Sequence, residues 1–500
     1  MENRFFDLTL MENQIFLAVV FVMSTAAALH VLVYKRNARS AFGWLGLILV
    51  SPLIGAIVYY LFGINRISDK LLRKDVSGPV TRYDYETRKR LEEAANQNPQ
   101  VAAVYNTGNY LGYNDPAWAC ITPYYDGGNA YVEMLAAIET AQVSITLCSY
   151  IFHLDEVGKK FIDALIRAHQ RGVVVRVLID AVGSNKKQLR LLRRFKKAGI
   201  SARRFLPVLM KTHFSNLRNH RKILVVDGVV GFTGGLNIGR IYWPEIARDD
   251  TVLDFHCRLT GPIVSQLQQV FVDDWYFVTR EELQGPNWFP EPGRNDSSRQ
   301  DSGHSDSVWH NEDELPDNAV LTRLICDGPI YSEERILWHF LNAINAARHH
   351  IRIITPYFLP PESLIAALCS ASMRGVRVDI VTPLAVDHVI MRWALQGSAQ
   401  DLLEKGCHLW RTPAPFDHTK LLLIDDTYVS FGSSNWDARS LRLNFEVNIE
   451  YFDLYLARKL IAFFEHKRSR AARYTLEDLN SRRFWVKVRD GAARILTPYL

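Results

Sequence analysis

Hydrophobic runs of two kinds divide this chain. The first kind is long and uninterrupted by charge. Residues 15–34 carry no formal charge, and neither do residues 41–64, broken only by Ser51 and Pro52. About 20 apolar residues suffice to cross a bilayer. The pattern predicts an N-terminal transmembrane helical hairpin, with helices at about 15–34 and 41–64 in a membrane anchor over residues 1–67. The flank ahead of Ile15 is acidic and a second run follows, which suits a cleaved signal peptide poorly. "KRNARS" between the runs holds three basic residues, and Arg66, Lys70, Arg73 and Lys74 follow the second. The positive-inside rule is therefore nearly balanced, and two crossings place both ends on one side.

The second kind of run is short and alternates with amphipathic stretches. After a polar connector (68–110), "VSITLCSYIF" (143–152) reads as strand, "GKKFIDALIRAHQRG" as a helix ending at Gly172, and "VVVRVLID" (173–180) as strand. Such alternation predicts an α/β fold, a parallel sheet covered by helices. A segment rich in Ser, Asp, Pro and Gly, residues 284–318, breaks the pattern and reads as a linker or surface insertion.

Beyond it the first half returns. "IRIITPYFLP" echoes "VSITLCSYIF", "RGVRVDIVTP" echoes "RGVVVRVLID", and "HTKLLLIDDTYVSFGSSN" echoes "HRKILVVDGVVGFTGGLN". The paired blocks start at 143 and 351, 171 and 374, and 220 and 418, so the offset drifts only from 208 to 198. Three blocks in one order mark an internal duplication. The units are placed at 111–283 and 319–456, related by a pseudo-twofold axis at which the repeated motifs can meet.

Composition alters this picture in two places. The net charge is only +6, but from Arg458 to Arg494 there are 11 Lys/Arg against four Asp/Glu. A basic C-terminal segment, 457–500, suits an anionic partner, either lipid headgroups or nucleic acid. The six cysteines lie far apart without metal-ligand spacing, which suggests buried thiols in a reducing compartment.

The third repeated block carries the chemistry. Residues two apart on a strand share a face, so His220 and Lys222 point together, as do His418 and Lys420. Four apolar residues follow each pair, then Asp227 or Asp425, then a small-residue turn: Gly234 and Gly235 ending in Asn237, Gly432 and Ser433 ending in Asn435. Converged, the two copies offer two imidazoles, two ammonium groups and two amides to a tetrahedral anion. That set suits phosphoryl transfer: one histidine attacks phosphorus, the other moves the proton of the departing and then the incoming alcohol. The lysines supply the positive charge, so no metal or cofactor is called for. Each imidazole needs its second nitrogen held, and downstream of each motif stands one acid, Asp254 or Glu446. Asp254 is expected to serve His220. Asp227 and Asp425 fall at odd spacing from the lysines and read as structural braces. His213, His256, His349, His350 and His388 have no repeated context and are set aside.

These motifs resemble the HKD signature of the phospholipase D superfamily. Together with "LFGINR", "ITPYFLPPESLIAAL" and "RSLRLNFEVNIEYFD", the arrangement resembles its bacterial cardiolipin synthase branch over nearly the whole chain apart from residues 286–317. The resemblance implies two phospholipase D-like α/β/α units behind the anchor. It further implies condensation of two phosphatidylglycerol molecules to cardiolipin and glycerol through a phosphohistidine. His220 would be the nucleophile, His418 the acid and then base; Lys222, Lys420, Asn237 and Asn435 would hold the phosphate. The implied partners are phosphatidylglycerol and anionic membrane lipid rather than nucleic acid. The implied location is the bacterial cytoplasmic membrane, multi-pass, with the catalytic part facing the cytoplasm; oligomeric state stays open. The alternatives are hydrolysis, transfer to another acceptor such as phosphatidylethanolamine, a nuclease, and a scaffold without activity.

Overall fold

The computed structural model describes residues 2–35, 38–64, 99–112, 114–183, 188–205, 217–290, 316, 318–329, 334–495 and 497. Most of the expected connector (65–98) and of the polar insertion (291–315) lie outside the described residues.

The N-terminal unit is helical. Asn13–Tyr34, within the helix Glu2–Tyr34, is long and apolar enough to cross a membrane. The second apolar run departs from expectation. It forms two short helices, Ala38–Val50 and Pro52–Val58, the latter continued by a π turn over Tyr59–Gly63. Thirteen residues of helix rise about 20 Å, short of a hydrocarbon core of about 30 Å. Pro52 lacks the N–H that would continue the first helix. At Gly55 the chain folds back so closely that a Cβ there would lie 2.5 Å from the Leu47 carbonyl oxygen. Of the expected hairpin, the structure shows one span-length helix followed by a bent pair of short helices. Val31, Ile48 and Tyr59 form their shared core, and Tyr59 Oη lies 2.8 Å from His30 Nδ1.

The large unit holds one 16-stranded sheet and two two-stranded sheets. Its first half contributes β1 (Ala117–Tyr124), β2 (Ser144–Ser149), β3 (Val174–Asp180), β4 (Ser201–Phe205), β5 (Arg218–Asn219), β6 (Ile223–Val226), β7 (Val230–Gly234), β8 (Val252–Leu253) and β9 (His256–Thr260). The second contributes β10 (Val320–Asp327), β11 (His350–Ile354), β12 (Phe358–Leu359), β13 (Arg377–Pro383), β14 (His408–Thr412), β15 (Phe416–Asp417), β16 (Leu421–Ile424), β17 (Tyr428–Gly432), β18 (Trp436–Asp437), β19 (Asn444–Phe452) and β20 (Ala472–Tyr474). β1 and β10 pair antiparallel at the centre, Trp118 opposite Leu321. Outward from them, β9-β7-β6-β2-β3-β4 on one side is matched by β19-β17-β16-β11-β13-β14 on the other. That order is the duplication in three dimensions, with the pseudo-twofold axis between β1 and β10.

Both motif strands are buried on both faces, which is why "ILVV" and "LLLI" do not alternate. Ile223, Val225, Leu421 and Leu423 face a central core with the helices Ile263–Thr279 and Leu454–Ser469. Leu224 and Val226 face a second core with the first half's helices Gly127–Thr140, Glu156–Gln170 and Gln188–Lys197. Leu422 and Ile424 face a third, with Arg335–Ala346 and Glu362–Met373. The result is an α/β/α layering. Local signals act as expected: Asp155 accepts from the Gly158 N–H at 2.9 Å at one helix start, and Gly172 and Gly375 take positive φ (98° and 91°) just past two helix ends.

Helices stand at two expected boundaries. Pro99–Tyr110, placed in the connector, docks on the second half: Val104 is in its core, and its carbonyl accepts from Arg323 Nη2 at 2.8 Å. Leu454–Ser469 crosses the expected start of the basic segment and buries Leu456, Leu460, Phe464 and even Lys467.

Candidate active site

His220 and His418 sit just ahead of β6 and β16. β6 runs antiparallel to β2, Ile223 opposite Cys148, so the motif opens at the carboxyl end of β2. Open α/β sheets bind ligands at that edge.

The two repeats complete one another there. β5 pairs in parallel with β19, Asn219 beside Phe445, and the His220 N–H donates to the Phe445 carbonyl at 2.9 Å. β15 pairs in parallel with β8, Asp417 beside Leu253, and the His418 N–H donates to the Leu253 carbonyl at 2.7 Å. The residue after each acceptor is the acid. His220 Nδ1 therefore meets Glu446 at 3.0 Å, and His418 Nδ1 meets Asp254 at 2.7 Å. The expectation that Asp254 serves His220 is corrected: the acids are exchanged between halves. An acid downstream of its own motif stands on β19 or beside β8, and those strands pair with the other half's motif. With Nδ1 donating to a carboxylate, each ring leaves Nε2 for chemistry.

Lys222 Nζ donates to the His220 carbonyl at 2.5 Å and lies 5.5 Å from the centre of the Tyr150 ring. Lys420 Nζ donates to the His418 carbonyl and lies 2.6 Å from its Nδ1 and 4.0 Å from Asp254. All six groups are buried. Burial dominates their titration. It lowers His220 to about 4 and Lys222 to about 7, with Glu446 opposing and the neighbouring lysines adding to the fall. Lys420 falls to about 8, and His418 is lowered by burial and then by Lys420. Asp254 and Glu446 end below the usual carboxylate range although burial alone would raise them, because histidine and lysine charges prevail. A cation-rich buried site with cations held below their usual values is short of an anion. A phosphodiester would stabilise every protonated form in it.

The remaining expected residues divide. Asp227 and Asp425 lie in the left-handed region (φ 53° and 51°). Asp227 accepts from the N–H groups of Gln142, Val143 and Ser144, and Asp425 from those of Arg348, His349 and His350. Each fastens the start of a neighbouring strand, as a brace should. Gly235 packs on the Asp254 carboxylate so closely that a Cβ would collide with it. Its counterpart Ser433 instead donates its hydroxyl to Glu446. Gly234 takes φ 149°, and a Cβ on Gly432 would strike the Val447 carbonyl. Asn237 is already engaged, with one amide N–H left over. Its amide donates to Tyr242 Oη at 2.9 Å and accepts from the Ile151 N–H at 3.1 Å. Asn435 keeps a buried Oδ1 without a hydrogen-bond partner among the described residues. Of the histidines set aside, His213 is outside the described residues, His388 is exposed, and His350 bonds Asp379 at 2.7 Å. His256, fully buried near Asp254 and Lys222, is lowered to about 3 mainly by burial.

Sequence reasoning missed two kinds of residue. Tyr150 and Tyr357 set their rings edge-on to His220 and His418, centroids 4.9 and 6.2 Å away. Both stand in blocks already aligned between the halves, which was the available signal. The second kind lies beneath the motif strands. Arg221 pairs with Asp274 at 2.6 Å, and Asn219 donates to the same acid at 2.7 Å. In the other half Lys467 pairs with Asp417 and reaches Thr419. The charges are reversed, so no repeat was visible.

Comparison with known proteins adds the family. Residues 134–275 and 340–468 match the family model described as cardiolipin synthase, PLD-like domain, and residues 22–63 match phospholipase D-nuclease N-terminal. The chain is 30% identical to the major cardiolipin synthase ClsA of Bacillus subtilis (strain 168), over 98% of this chain and 99% of that one. It is 30% identical to cardiolipin synthase 1 of Staphylococcus aureus (strain COL), over 97% of each. The solved structure of phosphatidylserine synthase from Haemophilus influenzae Rd KW20 shares the fold at TM-score 0.57 and 17% identity, covering 79% of this chain and 100% of that one. With both repeats inside the matched segments, this chain belongs to the cardiolipin synthase family of phospholipase D-like proteins.

Proposed function

We propose that this chain is a phosphatidyltransferase that condenses two phosphatidylglycerol molecules into cardiolipin and glycerol. The observation that carries the reading is the crossed pair, His220 on Glu446 and His418 on Asp254, in one buried site with two lysines. In the first step His220 Nε2 attacks the phosphorus of one phosphatidylglycerol. The bond from phosphorus to the headgroup glycerol oxygen breaks, and His418 gives that oxygen its proton. Glycerol leaves and a phosphatidyl-histidine remains. In the second step the terminal hydroxyl of another phosphatidylglycerol loses its proton to His418, attacks phosphorus and releases His220. Lys222 and Lys420 neutralise the equatorial oxygens in both steps. Glu446 and Asp254 hold the tautomers and stabilise each imidazolium as it forms.

The full-length family match and the span-length apolar helix support membrane association. We place the protein in a bacterial cytoplasmic membrane as a multi-pass protein, the helix Asn13–Tyr34 making one pass and the bent apolar segment 38–63 the return. The large unit faces the cytoplasm, where its six unpaired cysteines stay reduced. Labelled phosphatidylglycerol supplied to the purified full-length protein in lipid vesicles tests the reaction. Labelled cardiolipin with one glycerol released per product is expected. Phosphatidic acid alone would replace this reading with hydrolysis. A cysteine introduced on an exposed residue of the large unit should resist impermeant thiol reagents in intact cells; labelling from outside would reverse the orientation.

A further inference from the structure

The helix Phe484–Ile495 near the C-terminus has two dissimilar sides. One is docked. Ala493 packs with Met391, Ala394 and Leu359, and the Arg489 guanidinium lies 4.4 Å from the centre of the Trp393 ring. Fully buried Asp490 accepts from Arg482 and Arg489. The other side is bare and apolar: Phe484 is 69% exposed, Trp485 76%, Val488 45% and Ile495 74%. At 3.6 residues per turn these four, with exposed Ala492, fall within an arc of about 100°. Exposed Arg483, Lys487 and Arg494 border it on one edge and Arg489 on the other. The helix's one acid, Asp490, is buried on the docked side, so nothing in it opposes an anionic surface.

Its place in the fold gives this face a use. The partner helix, Val389–Ser398, starts beside His388, whose ring is 6.2 Å from that of Tyr357. Tyr357 donates its hydroxyl to Asp387 and sets its ring edge-on to His418. The bare face is therefore tied through one helix and one loop to the edge of the active site. Leu384 is exposed on that loop and Val389 at the start of the helix, and Val182 and Leu189 are exposed after the corresponding strand β3 in the first half. Apolar side chains thus stand outside the carboxyl ends of both halves' strands, at the edge where the motifs open.

We propose that Phe484–Ile495 is an interfacial helix that lies in the surface of an anionic phospholipid bilayer and holds the mouth of the active site against it. The occupant follows from the chemistry of the face: two adjacent aromatics and aliphatics in one arc, bordered by cations, suit the boundary between acyl chains and anionic headgroups. The inference rests on the reading of the site as acting on phospholipid. A lipid headgroup then reaches His220 and His418 without its acyl chains leaving the membrane.

Nitroxide labels in the full-length protein test it. They are introduced as Trp485→Cys, Val488→Cys and Arg494→Cys in a Cys120→Ser background, the other five cysteines being buried. In single-chain nanodiscs containing phosphatidylglycerol, oxygen should broaden the signals at 485 and 488, and a water-soluble nickel chelate should not. The label at 494 should sit at headgroup depth. Equal chelate access at 485 and 494 would overturn the proposal. So would shielding at 485 in detergent without bilayer, which would point to a second copy or another part of the chain as occupant. Phe484→Ser with Trp485→Ser should lower the rate on vesicles by about tenfold and leave the rate on the same lipid in detergent micelles nearly unchanged. Equal losses in both would point to misfolding of the helix and count against docking. Lipid-buried labels with no turnover in either preparation would support the docking and strike the substrate instead.

Discussion

The two halves of the large unit present the same site side with different residues. Each has an HxK strand buried on both faces, an aspartate brace, a tyrosine edge-on to its histidine, and an acid loaned to the other half. Beneath the strands they diverge. The first half neutralises its strand with Arg221 on Asp274, the second with Asp417 on Lys467, the sign of each partner reversed. At the turn, the first half sets Gly235 against a short acid, Asp254, and the second sets Ser433 against a longer one, Glu446. A buried strand needs its charges paired and each imidazole needs one carboxylate; neither requirement specifies which side chain carries which sign. What the duplication retains is geometry and electrical balance.

The histidines should break the equivalence most strongly. His220→Ala should abolish both product and phosphoenzyme. His418→Ala should lower turnover by at least about 10³-fold. Quenched-flow trapping with phosphate-labelled phosphatidylglycerol checks this; a normal phosphoenzyme yield from His220→Ala would end the assignment.

Next come the exchanged acids. Glu446→Gln, a second-half change, should slow formation of the intermediate on first-half His220 by about 10²–10³-fold. Asp254→Asn should act on the proton transfers of His418 by a similar factor. Single-turnover kinetics separate the two, and an effect on the histidine of the acid's own half would undo the crossed arrangement.

The ion pairs beneath the motif strands should be nearly equal despite their reversed signs. Arg221→Met and Lys467→Met each leave one buried aspartate unpaired and should cost about 3 kcal/mol of stability, read from thermal unfolding of the full-length protein. A Lys467→Met protein as stable as the parent would show the Lys467–Asp417 pair to be idle.

The dependence on pH is gentler. His220 attacks only when neutral, so kcat/KM should rise as pH passes about 4. It should fall as pH rises through the lowered range of His418, which must carry the proton that glycerol takes, and further above about 7, where Lys222 loses its proton and its hold on phosphate. Bound substrate, being anionic, raises these values, so the limbs of kcat should lie at higher pH than those of kcat/KM. Limbs of kcat displaced to lower pH would contradict the electrostatics. The smallest effect belongs to the turn: Ser433→Gly removes one hydrogen bond to the Glu446 carboxylate, about 2 kcal/mol, whereas Gly235→Ser drives a side chain into Asp254 and should cost far more. Rates of the two variants test that asymmetry.

Much of this was legible in the chain. The duplication, the HxK pairs, the two braces, the small-residue turns and both acids are local patterns that recur at nearly constant offset. Other features were hidden for physical reasons. Composition described residues 41–64 as one apolar run, but Pro52 removes a hydrogen-bond donor and Gly55 permits a close return, so the run bends. Asn237 matched its counterpart by position, yet Tyr242 and the Ile151 N–H engage its amide while Asn435 keeps its Oδ1 without a hydrogen-bond partner among the described residues. Lys467 counted as one more cation of a basic tail, and the helix carrying it turns that cation into the core onto Asp417.

Sequence alone determined that two copies of one α/β unit exist, which polar side chains the two copies share, and that this set suits a phosphodiester, because strand periodicity and repeat spacing are local properties. Only the tertiary structure decided which acid serves which histidine. That choice depends on β5 pairing with β19 and β8 with β15 across the pseudo-twofold axis. Such pairings join residues roughly 160 to 230 positions apart, and no local pattern encodes a contact at that separation.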